Sequence, residues 1–177
     1  MSFNIVHHQR RSIRLKDYDY SGFGVYFVTL CTAGRKCLFG EIRNGEMAFT
    51  TCGELVRAEW LASARIRQEI ALDAFVVMPN HLHGIVAIVG VGADAVRPAP
   101  PAKRLGPRPR SLSTLISGFK AATTRRINAL HGTVGVLVWQ RNYFDRIVRN
   151  EQECEAIREY IIHNPRRWEL DRENPGA

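Results

Sequence analysis

The sequence predicts an α+β fold in which helices pack on one antiparallel sheet, as in ferredoxin-like folds. Three observations lead to this prediction. Short runs of β-branched and aromatic residues alternate with longer segments of helical periodicity, two of these runs are joined by a tight turn, and no segment repeats. Because the chain has 177 residues and is 45% hydrophobic, we expect one domain spanning residues 1–177.

The first predicted elements are a strand, a hairpin and a helix. The run GVYFVTLC at Gly24–Cys31 has the composition of a buried strand. Residues 38–49 contain an Asn-Gly pair between two short mixed runs, which is a strong local indication of a tight hairpin. Thr51 and Glu54 then form a capping box, which predicts a helix whose apolar positions are Leu55, Ala58, Leu61 and Ile66.

A pair of strands and a loop come next. Residues 71–77 and 81–89 are apolar runs separated by Met78-Pro79-Asn80, and they predict an antiparallel hairpin. Residues 90–110 hold five of the eight prolines and five basic residues, with no acid after Asp94. We expect this segment to be a Pro/Arg-rich loop.

The last predicted elements are a helix, a strand and a second helix. Apolar positions with helical spacing begin after Ser111 and stop near Gly132. Residues 144–148 are the most strand-like part of the segment that follows. A cap-like pair at Asn150 opens a final helix, which Pro165 ends because the residue before a proline disfavours helical geometry.

Charge and cysteine content narrow the class of protein. The chain has 25 Lys+Arg against 17 Asp+Glu, a formal charge of +8, which favours a polyanionic partner such as nucleic acid over a merely basic soluble protein without excluding the latter. The four cysteines form no C-x-x-C pair, so neither a zinc ribbon nor a redox dithiol is indicated. Because neither a secretory signal nor a long apolar run occurs, we expect a cytoplasmic protein with reduced thiols and no membrane partner.

Two histidines are candidates for a metal site. His81 and His83 are two residues apart on a predicted strand, so both imidazoles face one way while Leu82 faces the other. Imidazole is a common metal ligand, and a pair preset by strand geometry loses little freedom on binding. The alternative is two ordinary strand histidines, one exposed and one hydrogen-bonded in the core.

The final helix supplies a second pair of candidates. Tyr160 and Asn164 are four residues apart and therefore lie on one helical face, where one can act as a nucleophile and the other as a ligand. Ile157 and Ile161 form an apolar stripe beside that face, so the helix is expected to dock on the sheet. The alternative is a packing tyrosine and an asparagine that merely ends the helix.

Candidate contacts to DNA fall in two places. Residues 139–146 (WQRNYFDR) combine aromatics with guanidiniums, a composition that suits unpaired bases and phosphates. We expect Trp139 and Phe144 to be core residues, and Gln140 and Arg141 to contact DNA. A further basic group on the second helix is either a set of phosphate contacts or an ordinary solvated face: Lys120, Arg125 and Arg126.

Three motifs, in this order, resemble the single-tyrosine HUH transposases of the REP-associated group. They are MPNHLH at 78–83, WQRNYFD at 139–145 and YIIHNP at 160–165. The resemblance extends over residues 22–168, and three linked motifs are far more specific than any one of them. It implies an HUH endonuclease type of fold and a transposase that cleaves and rejoins single-stranded or hairpin DNA.

The resemblance also implies roles for individual residues. His81, His83 and Asn164 would bind Mg²⁺ or Mn²⁺, and Tyr160 would form a 5′-phosphotyrosine intermediate while leaving a free 3′-OH. Imidazole ligands suit Mn²⁺ better than Mg²⁺, and His163 is the alternative to Asn164 as third ligand. The base that deprotonates the phenol is not identified. Such a protein is expected at the bacterial nucleoid when it is bound to DNA.

Two other functions remain open at this stage. One is a non-catalytic module that binds single-stranded nucleic acid, although the glycine-aromatic RNA-binding motif is missing. The other is a metal-dependent phosphodiesterase that activates water and uses no covalent tyrosine. A covalent protein–DNA adduct separates the transposase from both. The sequence leaves open the target DNA, a mobile-element or domesticated role, and self-association.

Overall fold

The protein is described by a computed structural model that covers residues 23–89 and 110–176. The strands of these residues are β1 (Gly24–Cys31), β2 (Gly40–Arg43), β3 (Glu46–Phe49), β4 (Ile70–Val77), β5 (His81–Ile88) and β6 (Phe144–Val148). The α-helices are α1 (Thr51–Ile66), α2 (Leu112–Leu130) and α3 (Glu151–His163), with 3-10 helices at Ala33–Arg35 and Pro165–Leu170. The predicted loop at 90–110, except Arg110, lies outside the described residues, as does most of the segment before β1.

Four strands form one antiparallel sheet in the order β4-β5-β1-β6, and β2 and β3 form a separate hairpin. Without that hairpin and the final helix α3, the strands and α-helices along the chain are strand, helix, strand, strand, helix and strand, and the first and third strands are the central ones. This is the ferredoxin-like arrangement. The predicted α+β fold class is therefore confirmed, and so is the predicted pairing of β4 with β5.

The sheet is covered on both faces because its strands alternate between two apolar clusters. Tyr26, Val28 and Leu30 of β1 pack with residues of α1 and α2. Phe27, between them, faces the opposite side, where Ile157 of α3 packs against it. Alternation with a period of two thus separates α1 and α2 from α3.

The start of α1 differs by one residue from the prediction. Thr50, not Thr51, is the N-cap residue, and its side chain accepts a hydrogen bond from the backbone N–H of Gly53. The predicted apolar face is also partly wrong, because Leu61 is 41% and Ile66 76% exposed. The buried stripe instead contains Cys52, Val56, Trp60 and Ser63, since Trp60 is the bulkiest apolar side chain of the helix and directs its face to the core.

The other predicted boundaries are close to those observed. Ser111 caps α2 through a reciprocal capping box with Thr114, and Gly132 follows the helix with a positive φ of 63°. Asn150 caps α3 by accepting a hydrogen bond from the backbone N–H of Glu153. Within the described residues, no helix combines the length and apolar character needed to cross a bilayer.

Candidate metal and nucleophile site

The two histidines of β5 lie on the face of the sheet that α3 covers. Leu82, between them, belongs to the cluster under α1 and α2. His81 and His83 are both buried, and their ring centroids are 4.4 Å apart. The predicted orientation of this pair is thus the one in the structure, and it follows from the strand period.

Hydrogen bonding defines the tautomer of His81. The side-chain amide nitrogen of Asn80 donates to the backbone carbonyls of Arg35 and Glu173, so its Oδ1 faces His81. Because Oδ1 can only accept, Nδ1 of His81 must be the donor in their 2.9 Å hydrogen bond. The lone pair of His81 is therefore on Nε2, a buried atom without a hydrogen-bond partner in the described residues. Orientation of this kind by a neighbouring oxygen is typical of metal-ligating histidines.

His83 lies between the sheet and α3. Its Nδ1 is 2.8 Å from the hydroxyl oxygen of Thr29 on the adjacent strand, and its Nε2 is 3.2 Å from the hydroxyl of Tyr160. Phe27 stacks on the His83 ring and meets the Tyr160 ring edge to face. The imidazole and the phenol are thus held together by rigid neighbours.

The docking of α3 brings Tyr160 and Asn164 to the histidines. Cys154, Ile157 and Ile161 pack on the sheet, and this places Tyr160 over His83. Asn164 continues the helical path for one more residue, with φ −58° and ψ −42°. Its side chain is buried, and its Oδ1 has no hydrogen-bond partner in the described part of the chain.

The alternative ligand, His163, faces away from this group. Its Nδ1 is 2.9 Å from the backbone carbonyl of Glu159, one turn earlier in α3, and close to that residue's carboxylate. Consecutive helical residues point about 100° apart, so one helix cannot direct both His163 and Asn164 at the same site. The structure brings Asn164, and not His163, to the histidine pair.

A carboxylate that the sequence analysis did not consider completes the group. Asp171 follows the 3-10 helix Pro165–Leu170 and lies near His81, the first residue of β5. Its Oδ2 accepts a hydrogen bond of 3.0 Å from the amide nitrogen of Asn164 and is 3.9 Å from Nε2 of His81. One ligand atom from each of His81, His83 and Asp171 lies within 4.8 Å of the others, so a single metal ion can contact all three.

Burial sets the protonation of the site. It lowers the pKa of His81 to about 3, so this ring is neutral near pH 7 and its lone pair is free to bind a metal. Burial also raises the pKa of the Tyr160 phenol, and the negative charge of Asp171 raises it further, while a hydrogen bond from Asn164 opposes the shift. A positive charge next to this phenol would oppose the shift and favour its ionised form.

The donor set fits a divalent cation. The ligand atoms of both imidazoles and of the Asp171 carboxylate lie within 4.8 Å of one another, and the amide of Asn164 is hydrogen-bonded to that carboxylate. Two buried atoms of this group, Nε2 of His81 and Oδ1 of Asn164, have no hydrogen-bond partner in residues 23–89 and 110–176. A buried polar atom without a partner is costly unless an ion or water satisfies it. The mixture of nitrogen and oxygen donors suits Mn²⁺ and is compatible with Mg²⁺.

The candidate DNA contacts lie beside this site. The backbone N–H of Gln140 donates to the carbonyl of Cys31, and Cys31 is the register partner of His81, so one strand separates Gln140 from the site. The side chains of Gln140 and Arg141 are exposed, while Trp139 is buried and donates a hydrogen bond to Thr123. Phe144 is half-buried against the α3 face, so it packs as predicted.

Two of the three candidate basic residues of α2, Lys120 and Arg126, have partners within the chain. The ammonium of Lys120 donates to the backbone carbonyls of Gln140 and Asn142 and lies 5.5 Å from the centre of the Tyr143 ring. Arg126 pairs with Glu59 of α1, and Arg125 is exposed. Lys120 therefore holds the segment that contains Arg141 by hydrogen bonds to the residues on either side of it.

Sequence reasoning did not identify Asp171 and Asn80 as part of the site. Asn80 has a local signal, because it directly precedes His81, but the sequence indicates only a turn at this position. Asp171 has none, since its approach depends on how residues 165–170 fold back after α3. Asp171 lies seven residues after Asn164 and beyond the end of α3, so the period of that helix does not predict a contact between them.

Comparison with known proteins supports the fold assignment. No protein-family model matches the chain. An uncharacterized protein of Haemophilus influenzae is 36% identical over 177 residues, which cover 96% of this chain and 95% of the relative. The solved structure of a REP-associated tyrosine transposase bound to a REP hairpin matches 89% of this chain and 74% of its own, with a TM-score of 0.59 and 19% identity. At that identity the match concerns the fold alone, and it confirms the fold that the resemblance implies.

Proposed function

The chain belongs to the same family as the Haemophilus influenzae protein and has the fold of a REP-associated tyrosine transposase, and from this premise we propose that it is a single-strand DNA endonuclease and strand transferase. It cleaves and rejoins hairpin-forming DNA through a 5′-phosphotyrosine intermediate. Residues 1–177 act as one transposase domain, which works on DNA in the cytoplasm, at the nucleoid.

One observation carries the proposal. The hydroxyl of Tyr160 is 3.2 Å from Nε2 of His83, in a site that also contains Nε2 of His81 and Oδ1 of Asn164 without hydrogen-bond partners among the described residues. A tyrosine that served only for packing would not need its hydroxyl next to an imidazole that belongs to a buried group of potential metal ligands. The arrangement supports a phenol positioned for nucleophilic attack beside a metal.

In the proposed reaction the oxygen of Tyr160 attacks the phosphorus of a single-strand phosphodiester. A bond forms between this oxygen and phosphorus, and the bond from phosphorus to the 3′ oxygen breaks, so one DNA end is a free 3′-OH and the other is a phosphotyrosine. Attack by a 3′-OH on the phosphotyrosine reverses these bonds and releases Tyr160. Because the bond energy is stored in the adduct, rejoining needs no nucleotide cofactor.

His81, His83 and Asn164 would hold the metal, either Mg²⁺ or Mn²⁺. When bound, such an ion offsets the charge of the phosphate and favours the ionised phenol. Other residues of the chain orient the reacting groups. Asn80 and Thr29 fix the two imidazoles by hydrogen bonds, and Phe27 limits the motion of the Tyr160 phenol. Positioning of the reacting groups in this way is a large part of catalysis in phosphoryl transfer.

The single strand is proposed to pass over the segment that contains Gln140 and Arg141. Both side chains are exposed, and they lie one strand away from His81. Guanidinium groups bind phosphates and stack on bases, and Lys120 holds the carbonyls on either side of Arg141. Arg125 and Arg126, farther along α2, would extend this basic surface.

The decisive experiment is the search for a covalent adduct. The full chain is incubated with end-labelled single-stranded hairpins in Mn²⁺ and analysed on a denaturing gel. A labelled protein band, with a nucleotide-modified peptide containing Tyr160, is the expected result. Cleavage without an adduct would identify a water-activating phosphodiesterase instead, and binding without cleavage would identify a non-catalytic nucleic-acid-binding module.

A further inference from the structure

We propose that Asp171 is an anionic oxygen ligand of the metal and that the segment 165–174 closes the metal site. This inference rests on the proposed function, because it adds a ligand to the site that would hold Mn²⁺ or Mg²⁺. It assigns a role to residues that follow α3. The last of the three sequence motifs ends at Pro165, so none of the motifs includes Asp171.

The first support is a buried carboxylate that has no lysine or arginine partner in the described part of the chain. The Asp171 side chain is only 5% exposed. Its oxygens accept hydrogen bonds from the amide nitrogen of Asn164 and the backbone N–H of Glu173. Within the described residues, no lysine or arginine pairs with this carboxylate, and the nearest ionisable side chain is His81, at 3.9 Å. Burial of an uncompensated carboxylate is costly, and a divalent cation would remove that cost.

The second support is the direction of the carboxylate. Its Oδ2 lies 3.9 Å from the free Nε2 of His81, a separation that a metal ion between the two atoms can bridge. The same oxygen contacts Asn164, the residue proposed as third ligand. Asp171 is therefore in contact with, or close to, two of the three other ligands.

The third support is the way in which the segment is anchored. Glu173 is buried and pairs with Arg35 at 3.2 Å, and Arg35 also donates to the backbone carbonyl of Arg172. Asn80 donates to the backbone carbonyl of Glu173 while its Oδ1 accepts from His81. One side chain thus connects a metal-binding histidine to the segment that carries Asp171. Metal binding and docking of this segment should consequently stabilise each other.

The added carboxylate has a consequence for metal selectivity. Two imidazoles and an amide form a neutral set that suits Zn²⁺ and other transition metals. An anionic oxygen raises the affinity for Mn²⁺ and Mg²⁺ more than for Zn²⁺, because the first two are harder cations that prefer oxygen. Asp171 thereby explains how a histidine-based site can use Mg²⁺ or Mn²⁺.

The test measures metal binding by the full chain without DNA. Mn²⁺ and Zn²⁺ are titrated into the wild type, Asp171→Asn and Glu169→Gln, with calorimetry for both metals and electron paramagnetic resonance for free Mn²⁺. Asp171→Asn keeps the size of the side chain and one oxygen that can still accept from the backbone N–H of Glu173, so the fold should survive. Glu169→Gln is the matched control, since it neutralises an exposed carboxylate of the same segment.

We expect Asp171→Asn to weaken Mn²⁺ binding by about ten-fold or more and Zn²⁺ binding much less, while Glu169→Gln leaves both unchanged. We also expect Mn²⁺ to slow hydrogen exchange of residues 165–174 in the wild type but not in Asp171→Asn. Unchanged Mn²⁺ affinity and an unchanged preference between the two metals would overturn the inference. If the wild type still forms the DNA adduct in that case, the proposed function stands and only the role of Asp171 is rejected. If the wild type neither forms the adduct nor binds metal, both the proposed function and the role of Asp171 are rejected.

Discussion

The hydroxyl of Tyr160 lies 3.2 Å from Nε2 of His83, although 77 positions separate the two residues in the chain. This contact links the helix that carries the proposed nucleophile to the strand that carries the proposed metal ligands. Since His83 is fixed by Thr29 and stacked on Phe27, the phenol has one well-defined position.

Replacement of the nucleophile should separate chemistry from folding. Tyr160→Phe removes one oxygen and keeps the ring that packs on Phe27, so the free energy of unfolding should change by only about 1 kcal/mol. The covalent adduct with single-stranded DNA should disappear. The measurement is the denaturing-gel assay, with thermal unfolding recorded in parallel.

Tyr143→Phe is the matched control. Tyr143 packs with the core cluster under α1 and α2 and lies near the ammonium of Lys120, away from the histidine pair. This variant should form the adduct as the wild type does. If Tyr160→Phe retained the adduct and Tyr143→Phe lost it, the nucleophile would be Tyr143 while the transposase proposal could stand.

Removal of the metal or of either histidine should abolish cleavage without abolishing DNA binding. His81→Ala and His83→Ala each delete a proposed ligand, and EDTA removes the ion from the intact site. Affinity for single-stranded DNA should stay within a few-fold of the wild type, because the basic surface is unchanged. Gel-shift and cleavage assays on the same samples check both parts, and full-rate cleavage in EDTA would contradict the metal assignment.

Substitution of Asn80 tests the orientation of His81. Asn80→Ala removes the acceptor that holds Nδ1–H of His81, so Nε2 is no longer fixed toward the site. Loss of such an outer hydrogen bond typically lowers metal affinity by about 10–100-fold. Calorimetric titration of Mn²⁺ measures the change. Asn80→Asp keeps an oxygen acceptor for His81 but cannot donate to the backbone carbonyls of Arg35 and Glu173, so it should recover only part of the lost affinity.

Salt dependence tests the proposed contact between Arg141 and DNA. The affinity for single-stranded DNA should fall with salt as counterions are displaced, and hairpins should bind better than unstructured strands. Arg141→Ala should make the negative slope of log K against log salt shallower by about 0.7, the value of one phosphate contact with a single strand. Arg57→Ala, on the exposed surface of α1, is the control and should leave the slope unchanged. Equal affinity for any duplex would indicate a merely basic protein.

Stability at alkaline pH tests the environment of Lys120. Partial burial lowers the pKa of its ammonium from 10.5 to about 8. Between these values the unfolded chain binds more protons than the folded one, so the free energy of unfolding should rise with pH in this range. Lys120→Arg stays charged throughout and should lack this rise. Urea unfolding of both proteins at several values between pH 7 and 10.5 measures the difference, and parallel profiles would contradict the shift.

The local elements were largely determined by the sequence. Gly24–Cys31 has the bounds predicted for the first strand, and the hairpin, both later helix caps and the end of α3 before Pro165 are also where they were predicted. These features depend on neighbours a few residues apart, such as a cap and the N–H that it accepts from. The face of α1 was not predictable in the same way, because Leu61 and Trp60 compete for the core and only the packed structure decides between them.

In the candidate site, too, the features within one element were predictable from the sequence and the contacts between elements were not. The sequence alone determined that His81 and His83 share a face and that Tyr160 and Asn164 share another, since both follow from the periods of a strand and a helix. Only the tertiary structure decided that the two faces meet, that Asn164 rather than His163 points inward, and that Asp171 returns to the same place. Periodicity fixes direction within an element, but contacts between elements depend on how α3 docks on the sheet and how the chain turns after it.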